Sequence, residues 1–98
     1  MPVRPPAELA RYLVEWYRAG LTDDVLDQTA DRVLDSARQL ADEGEVAVLL
    51  LTLFVPEDEV AFSLFAARSP LSVARVYQRA DLPYHRIVQA MERTEVLT

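Results

Sequence analysis

Apolar residues recur along the chain with two different periods, and the first half predicts a strand followed by a long helix. The segment 12–17 is rich in aromatic and branched residues and ends near Gly20, as strands commonly do. Over residues 25–41 the apolar positions follow helical spacing, and acidic and arginine side chains fill much of the opposite face. Thr22 can cap the start of this helix, and Gly44 can adopt the left-handed conformation that ends it.

The middle of the chain predicts a β-hairpin. Residues 46–55 form an uninterrupted apolar run that is too short and too rich in strand-forming residues for a second long helix. The polar segment 56–59 is typical of a turn, and residues 60–67 resume as a strand. The two strands are therefore expected to pair with each other.

The last third of the chain predicts a second helix and a final strand. Ser69 followed by Pro70 is a strong helix start, because serine caps free backbone N–H groups and proline suits the first turn. This helix is expected to stop before Pro83. Residues 84–91 are interpreted as the fourth strand.

The order strand–helix–strand–strand–helix–strand predicts an α+β fold of the ferredoxin-like kind, a two-layer sandwich. In this topology the first and third strands are central, and both helices cover one face of the sheet. The predicted domain spans residues 11–92, with an extended proline-containing arm over 1–10 and a short tail over 93–98.

The predicted strands can be sorted into faces, because successive side chains of a strand point to opposite sides. The first strand is expected to turn its purely apolar set toward the helices, namely Tyr12, Val14 and Trp16. Glu15 is thereby placed on the open face of the sheet. The third strand is likewise expected to turn its more apolar set toward the helices, namely Val60, Phe62, Leu64 and Ala66. Its other set would lie on the open face: Ala61, Ser63 and Phe65.

The open face is predicted to be apolar and to need a cover. The second strand is apolar on both sides, which indicates that both of its faces are buried. The apolar residues expected on the open face are Leu13, Leu49, Leu51, Leu53 and Phe65. Monomers seldom expose so large a patch, and a two-fold dimer covers it with one self-complementary surface. The sequence therefore predicts a homodimer, an α+β barrel with either a filled core or a ligand cavity between its sheets.

Composition and charge narrow the classes of partner. The formal net charge is −6, and all ten cationic residues are arginines scattered among sixteen acids. Neither nucleic acid nor an anionic membrane is expected as a partner, because both require a concentrated positive surface. The chain has no cysteine, which removes disulfides and thiolate metal ligands. A cytoplasmic location is expected, because the N-terminal residues lack the apolar core of a signal peptide.

Several short segments form a recognisable set: Tyr-Leu-Val-Glu at 12–15, Gly-Leu-Thr at 20–22, Phe-Val-Pro-Glu-Asp-Glu at 54–59, Phe-Ser-Leu-Phe at 62–65, Leu-Pro at 82–83 and Arg-Ile-Val at 86–88. Through these segments the chain resembles a family of small bacterial ferredoxin-like proteins. Most members have no assigned function, and one is nickel-binding. The resemblance covers about residues 11–92, is most specific in the Val-Pro-Glu-Asp hairpin, and implies the same fold and a dimeric α+β barrel.

The chain differs from that family at positions where metal ligands would be expected. Members often carry cysteines where this chain has Ala61 and Ser63, and a histidine near Val76 or Tyr77. Soft metals prefer imidazole and thiolate ligands, and of these only His85 is present. The residues therefore predict no metal site and no cofactor.

Glu15 is the most informative candidate for chemistry. A carboxylate on a central strand among apolar neighbours is in the setting that prepares such a group for general acid or base catalysis. The alternative is a structural role, either in an ion pair with an arginine such as Arg86 or at the exposed rim of the barrel.

The other polar candidates are one imidazole and three hydroxyl groups. His85, the sole histidine, is interpreted as a proton shuttle, as a metal ligand shared with a second copy, or as an ordinary exposed residue. Tyr17, Tyr84 and Ser63 carry hydroxyl groups that either orient a substrate or belong to an interface.

Three functions follow from these candidates, and small-molecule handling ranks first among them. It means either binding an apolar metabolite or converting it, the latter as a cofactor-independent cyclase or isomerase with Glu15, His85 and Tyr17 in catalysis. The predicted substrate-binding residues are Leu49, Leu51, Leu53, Ser63, Phe65, Tyr84 and Arg86. The second function is non-catalytic binding of a nickel-like metal ion, and the third is a structural dimerisation module.

Overall fold

The computed structural model describes residues 9–91 and Arg93, and the elements follow the predicted order. The four strands are β1 (Ala10–Tyr17), β2 (Ala47–Val55), β3 (Val60–Ala67) and β4 (Arg86–Ala90). The two helices are α1 (Asp23–Asp42) and α2 (Pro70–Ala80), and a single 3₁₀ turn, Pro56–Asp58, joins β2 to β3. This order and the antiparallel sheet are those of the ferredoxin-like α+β fold.

The strands lie in the order β2-β3-β1-β4, so β1 and β3 are central as the sequence predicts. Every neighbouring pair is antiparallel. Helices α1 and α2 contribute to a single core with one face of the sheet. The largest buried contributors to this core are Tyr12, Val14, Trp16, Val33, Leu40, Phe65, Val73, Val76 and Tyr77.

Both helices begin at the predicted caps. The Thr22 hydroxyl accepts a hydrogen bond from the Val25 N–H at 3.3 Å, and the Ser69 hydroxyl accepts one from the Ser72 N–H at 3.2 Å. Beyond the end of α1, Gly44 has a φ of +89°, a conformation that glycine adopts without steric cost. Neither described helix combines the length and the apolar character needed to cross a bilayer.

The two ends of the chain contribute little to the described structure. The arm predicted over 1–10 and the tail predicted over 93–98 lie outside the described residues, apart from Leu9, Ala10 and Arg93. Ala10 already belongs to β1. The sheet therefore begins inside the segment that the sequence assigns to the arm.

The last strand is shorter than the sequence predicts. β4 begins at Arg86, so Tyr84 and His85 lie in the connection that follows α2. The His85 N–H nevertheless donates a hydrogen bond to the Glu15 carbonyl oxygen at 2.7 Å. This bond holds the end of the connection against β1.

The faces of β3 are opposite to the prediction. The β3 residues on the helix side are Ala61, Ser63, Phe65 and Ala67, all of them buried. Phe62 and Leu64 lie on the open face instead. The register is the cause, because Trp16 lies directly opposite Ala61 and such pairs share a face. The small alanine leaves room for the indole ring, so packing volume determines the orientation of β3 more than hydrophobicity does.

A bulge in β2 changes which of its leucines share a face. The pairing of β2 with β3 shifts between Leu49 and Leu51, which leaves Leu50 as an extra residue. Leu49 lies opposite Phe65 and packs against the core, whereas Leu51 and Leu53 lie on the open face. The prediction that these leucines share one face is wrong for Leu49. The prediction that both faces of β2 are buried does not hold within one chain, because Leu51 and Leu53 are exposed.

Candidate functional site

Glu15 lies on the open face of the central strand β1, as the sequence predicts. Its cross-strand neighbours are Phe62 on β3 and Arg86 on β4. The Glu15 side chain is 17% exposed, so its carboxylate is partly withdrawn from water. A carboxylate in such a position requires a polar or charged partner.

Arg86 supplies that partner. Its Nε atom lies 3.3 Å from Oε1 of Glu15, and the strand register places the two residues directly opposite each other. The ion pair with Arg86, which the sequence offers as the alternative role of Glu15, is therefore present. The Arg86 side chain is 61% exposed, so the pair lies at the boundary between the sheet and solvent.

His85 and Tyr17 complete the group around the carboxylate. The Nε2 atom of His85 lies 3.9 Å from Oε1 of Glu15. The His85 ring packs edge-on against Tyr17, with ring centroids 5.2 Å apart. Together Glu15, Tyr17, His85 and Arg86 form what we call the Glu15 cluster, which brings together all three predicted catalytic residues.

Tyr84 lies beside the Glu15 cluster. Its ring packs against the buried ring of Tyr77, with centroids 5.7 Å apart. Tyr84 also lines a cavity of about 190 Å³ together with Tyr17, Pro83 and His85. The cavity lies next to the carboxylate but does not include it.

The rest of the open face around the Glu15 cluster is apolar. Its exposed or half-buried apolar side chains include Leu13, Val48, Leu51, Leu53, Val55, Phe62, Leu64 and Val88. The charged side chains on this face of the described strands are Arg11, Glu15 and Arg86. A polar group on this surface is therefore surrounded by hydrocarbon.

Three of the predicted substrate-binding residues lie away from this face. Leu49, Ser63 and Phe65 are on the helix side of the sheet, where Phe65 belongs to the core and Ser63 is buried. They cannot contact a ligand on the open face without crossing the sheet. Leu51, Leu53 and Arg86 do lie on it.

Phe62, Leu64 and Val88 belong to the open face but are not among the predicted site residues. Phe62 lies directly opposite Glu15, and Leu64 and Val88 lie opposite Leu13 from the two sides. The size pattern of β3, with small residues alternating with large ones, is the sequence signal that places them there. Large residues of β1 need small neighbours on the helix side, which leaves the bulky β3 residues outside.

A complete metal site is not formed within the described part of one chain. Among residues 9–91 and Arg93, no group of three or more His, Cys, Asp or Glu side chains is placed to hold a metal ion. Within the Glu15 cluster the possible ligands are Glu15 and His85.

A second polar group lies on the other side of the sheet. Tyr77 is 1% exposed, and its hydroxyl has no hydrogen-bond partner among the residues that the structure describes. Burial raises the pKa of Tyr77 to about 12, and interaction with Ser63 offsets part of that rise. Ser63 itself accepts a hydrogen bond from the Trp16 indole N–H at 3.4 Å. These groups are a feature of the core and are separated from Glu15 by the sheet.

Comparison with known proteins shows the fold of the chain. No protein-family model matches it, and no curated protein matches it. Among solved structures, the chain is similar to the crystal structure of SCO4226 from Streptomyces coelicolor A3(2), with a TM-score of 0.72 and 21% sequence identity. The match covers 87% of this chain and 100% of that chain. At this identity the likeness shows a shared compact α+β fold.

Proposed function

We propose that the protein is a homodimer that binds an apolar small molecule on its open sheet face, beside the Glu15 cluster. One observation carries the proposal: a half-buried ion pair, Glu15 with Arg86, is set in an otherwise apolar and exposed sheet face. Ligand sites combine apolar walls with a few well-placed polar groups, and this face has both. The lack of cysteine fits a protein of the reducing cytoplasm.

The apolar face supports the dimer. Leu51, Leu53 and Val55 are all exposed in the single chain. A second copy packed face to face by a two-fold axis covers both patches at once. The cover also removes water from the ion pair, which strengthens its interaction with any polar group bound nearby.

The arrangement of the Glu15 cluster supports a catalytic role. In this proposal Glu15 accepts and returns a proton, His85 passes protons to and from solvent, and the Tyr17 hydroxyl orients the substrate. Cyclisation and isomerisation move a proton within the substrate and need no cofactor, so such a site suffices for them. The leucines of β2 then provide the apolar wall.

A metal-binding function is the second candidate. It is supported by the 3.9 Å separation of His85 Nε2 and Glu15 Oε1 and by the resemblance to a family with a nickel-binding member. Two copies would supply two carboxylates and two imidazoles. In this proposal the metal ion has to compete with Arg86 for the Glu15 carboxylate.

A native mass spectrum of untagged protein, purified without a chelator, tests the proposal. We expect a dimer that carries the extra mass of an organic molecule. A dimer carrying a metal ion instead would favour the second candidate. An empty dimer would favour a structural dimerisation module, and a monomer at all concentrations would overturn the account of the open face.

The ligand found in this way then serves as the substrate in an assay of Glu15→Gln. We expect the variant to lose turnover while the dimer persists, because glutamine keeps the shape of the side chain and removes its basicity. Unchanged turnover would show that Glu15 is not the acid or base. A His85→Ala variant that loses a bound metal ion would identify the metal-binding alternative.

A further inference from the structure

Arg86 uses only part of its guanidinium to hold Glu15. The contact is made by Nε, which lies 3.3 Å from Oε1 of Glu15. Within the part of the chain that the structure describes, neither terminal nitrogen of Arg86 donates a hydrogen bond. The two terminal nitrogens carry four of the five N–H donors of the group. They are therefore available to a further acceptor.

Arg86 lies on the open face of the sheet, where a ligand on that face can reach its donors. Arg86 lies opposite Glu15 on β4, and Val88, the next residue on the same face, lies opposite Leu13. The donors thus belong to a side chain at the edge of an apolar surface. The ion pair with Glu15 also restrains the arginine side chain, which lowers the entropy lost when it binds an acceptor.

The described part of the open face is less acidic than the protein as a whole. On the described strands, this face carries the arginines Arg11 and Arg86 and the acid Glu15. The whole chain has a formal net charge of −6. An anion is therefore better accommodated beside Arg86 than on the acidic parts of the surface.

We infer that the ligand of the open face is an amphipathic carboxylate. Its carboxylate accepts two parallel hydrogen bonds from the terminal nitrogens of Arg86, the geometry in which arginine binds carboxylates most strongly. Its apolar body lies on the side chains of Leu13, Leu64 and Val88. Glu15 acts as a positioning residue for Arg86 in this binding step. The inference rests on the proposed function and specifies the class of ligand.

Titration calorimetry with three matched probes tests the inference. Octanoate, 1-octanol and octylammonium share one apolar chain and differ in the charge of the head group. The two ions are used below the concentrations at which they form micelles, and 1-octanol is used below its solubility limit. We expect octanoate to bind about tenfold more tightly than 1-octanol, in keeping with one charge-assisted contact. We expect octylammonium to bind more weakly than either.

Variants at the two arginines of the face assign the head-group contact. In Arg86→Gln, octanoate should bind no better than 1-octanol. The control Arg11→Gln removes the same charge at a position about four residues, or about 13 Å, away from Arg86 along the sheet. This variant should keep the preference for octanoate. Because Arg86→Gln leaves Glu15 without its partner, the double variant Glu15→Gln/Arg86→Gln is measured too, and it should also lack the preference.

The outcomes separate this inference from the proposed function. If the protein binds none of the three probes, the proposed function fails and the inference fails with it. If it binds all three equally, or prefers octylammonium, the proposed function stands and the carboxylate assignment is wrong. The assignment is also overturned if the double variant keeps the preference for octanoate, or if Arg11→Gln removes it.

Discussion

At the scale of single residues, Tyr77 is where polarity and burial conflict most directly. Its ring packs edge-on against Phe65 and Tyr84, with centroids 6.0 and 5.7 Å away. These contacts hold the phenol in the core, where its hydroxyl lacks a hydrogen-bond partner among the described residues. Burial disfavours the phenolate and raises the pKa of Tyr77 to about 12 from the ordinary value of 10.0. In the unfolded chain the phenol is in water, and its pKa has that ordinary value.

The raised pKa predicts a loss of stability at alkaline pH. Between about pH 10 and about pH 12 the unfolded chain loses the Tyr77 proton while the folded protein keeps it, so unfolding becomes more favourable as the pH rises. A difference of two pKa units corresponds to about 3 kcal/mol in the free energy of unfolding. In Tyr77→Phe this part of the loss should be absent. Urea unfolding of both proteins across the alkaline range measures it.

The same comparison contains its own control. Below about pH 9 the phenol is protonated in both states, so the difference in stability between the two proteins should not change with pH. At neutral pH the phenylalanine variant should be as stable as the wild type or more stable by about 1 kcal/mol, because the lost hydroxyl makes no hydrogen bond. Parallel alkaline profiles would show that Tyr77 does not titrate as the structure indicates.

The sequence is sufficient to place Glu15 but not to describe Tyr77. Strict alternation in β1 puts Glu15 on the open face, and Arg86 is a reasonable partner because acidic and basic residues on neighbouring strands attract. The isolation of the Tyr77 hydroxyl depends on which residues of β1 and β3 pack over the helix. That depends on pairing between distant segments, which local patterns do not encode.

At the scale of elements, the orientation of β3 follows the packing volume of its side chains and not their hydrophobicity. Its helix side carries two alanines and a serine beside Phe65, while Phe62 and Leu64 face outward. Helix α2 packs on this strand, and Tyr77 and Trp16 fill the volume that the small residues leave. A small residue at position 61 is thus a requirement of the fold.

This orientation of β3 predicts opposite effects at neighbouring positions. Ala61→Leu should reduce the free energy of unfolding by about 1–3 kcal/mol, because Ala61 is fully buried and extra methylene groups overpack the core. Phe62→Leu, the control on the open face, should change it by less than about 1 kcal/mol in the single chain. Denaturant unfolding of dilute protein measures both. If the larger loss occurred in Phe62→Leu, the orientation expected from hydrophobicity alone would be the correct one.

Most elements could be predicted from the sequence because their signals are local. The caps at Thr22 and Ser69 and the glycine at 44 set helix ends through bonds to nearby backbone. The orientation of β3 and the bulge at Leu50 could not be predicted in this way. Both arise from the fit of one strand against another, and a shift of one residue moves every side chain to the other face.

At the scale of the whole molecule, polar and apolar surfaces are segregated. The outer face of α1 carries six exposed aspartates, whereas the open face of the sheet carries exposed leucines around one ion pair. The corrected orientation of β3 places Phe62 and Leu64 on that face instead of Phe65, so the face remains strongly apolar. A face-to-face dimer buries the apolar surface and leaves the acidic helix α1 in solvent, where its charge favours solubility.

Two exposed leucines with nearly equal exposure make this argument testable. Leu53 on the open face is 53% exposed, and Leu71 on the outer surface of α2 is 55% exposed. Replacing either leucine with glutamate therefore places a charge on the surface of the single chain, at little cost in stability. In a dimer covered at the open face, Leu53→Glu buries an unpaired carboxylate at the interface, and the dimer should dissociate at least about a hundredfold more readily.

Leu71→Glu should leave the assembly unchanged, because α2 lies on the opposite layer from the open face. Light scattering coupled to size-exclusion chromatography over a range of concentrations measures the dissociation of both variants, and far-ultraviolet circular dichroism confirms that both remain folded. Equal behaviour of the two leucines would remove the open face from the interface. Dissociation by Leu71→Glu alone would place the interface on the helices, and the Glu15 cluster would then remain exposed to solvent in the assembled protein.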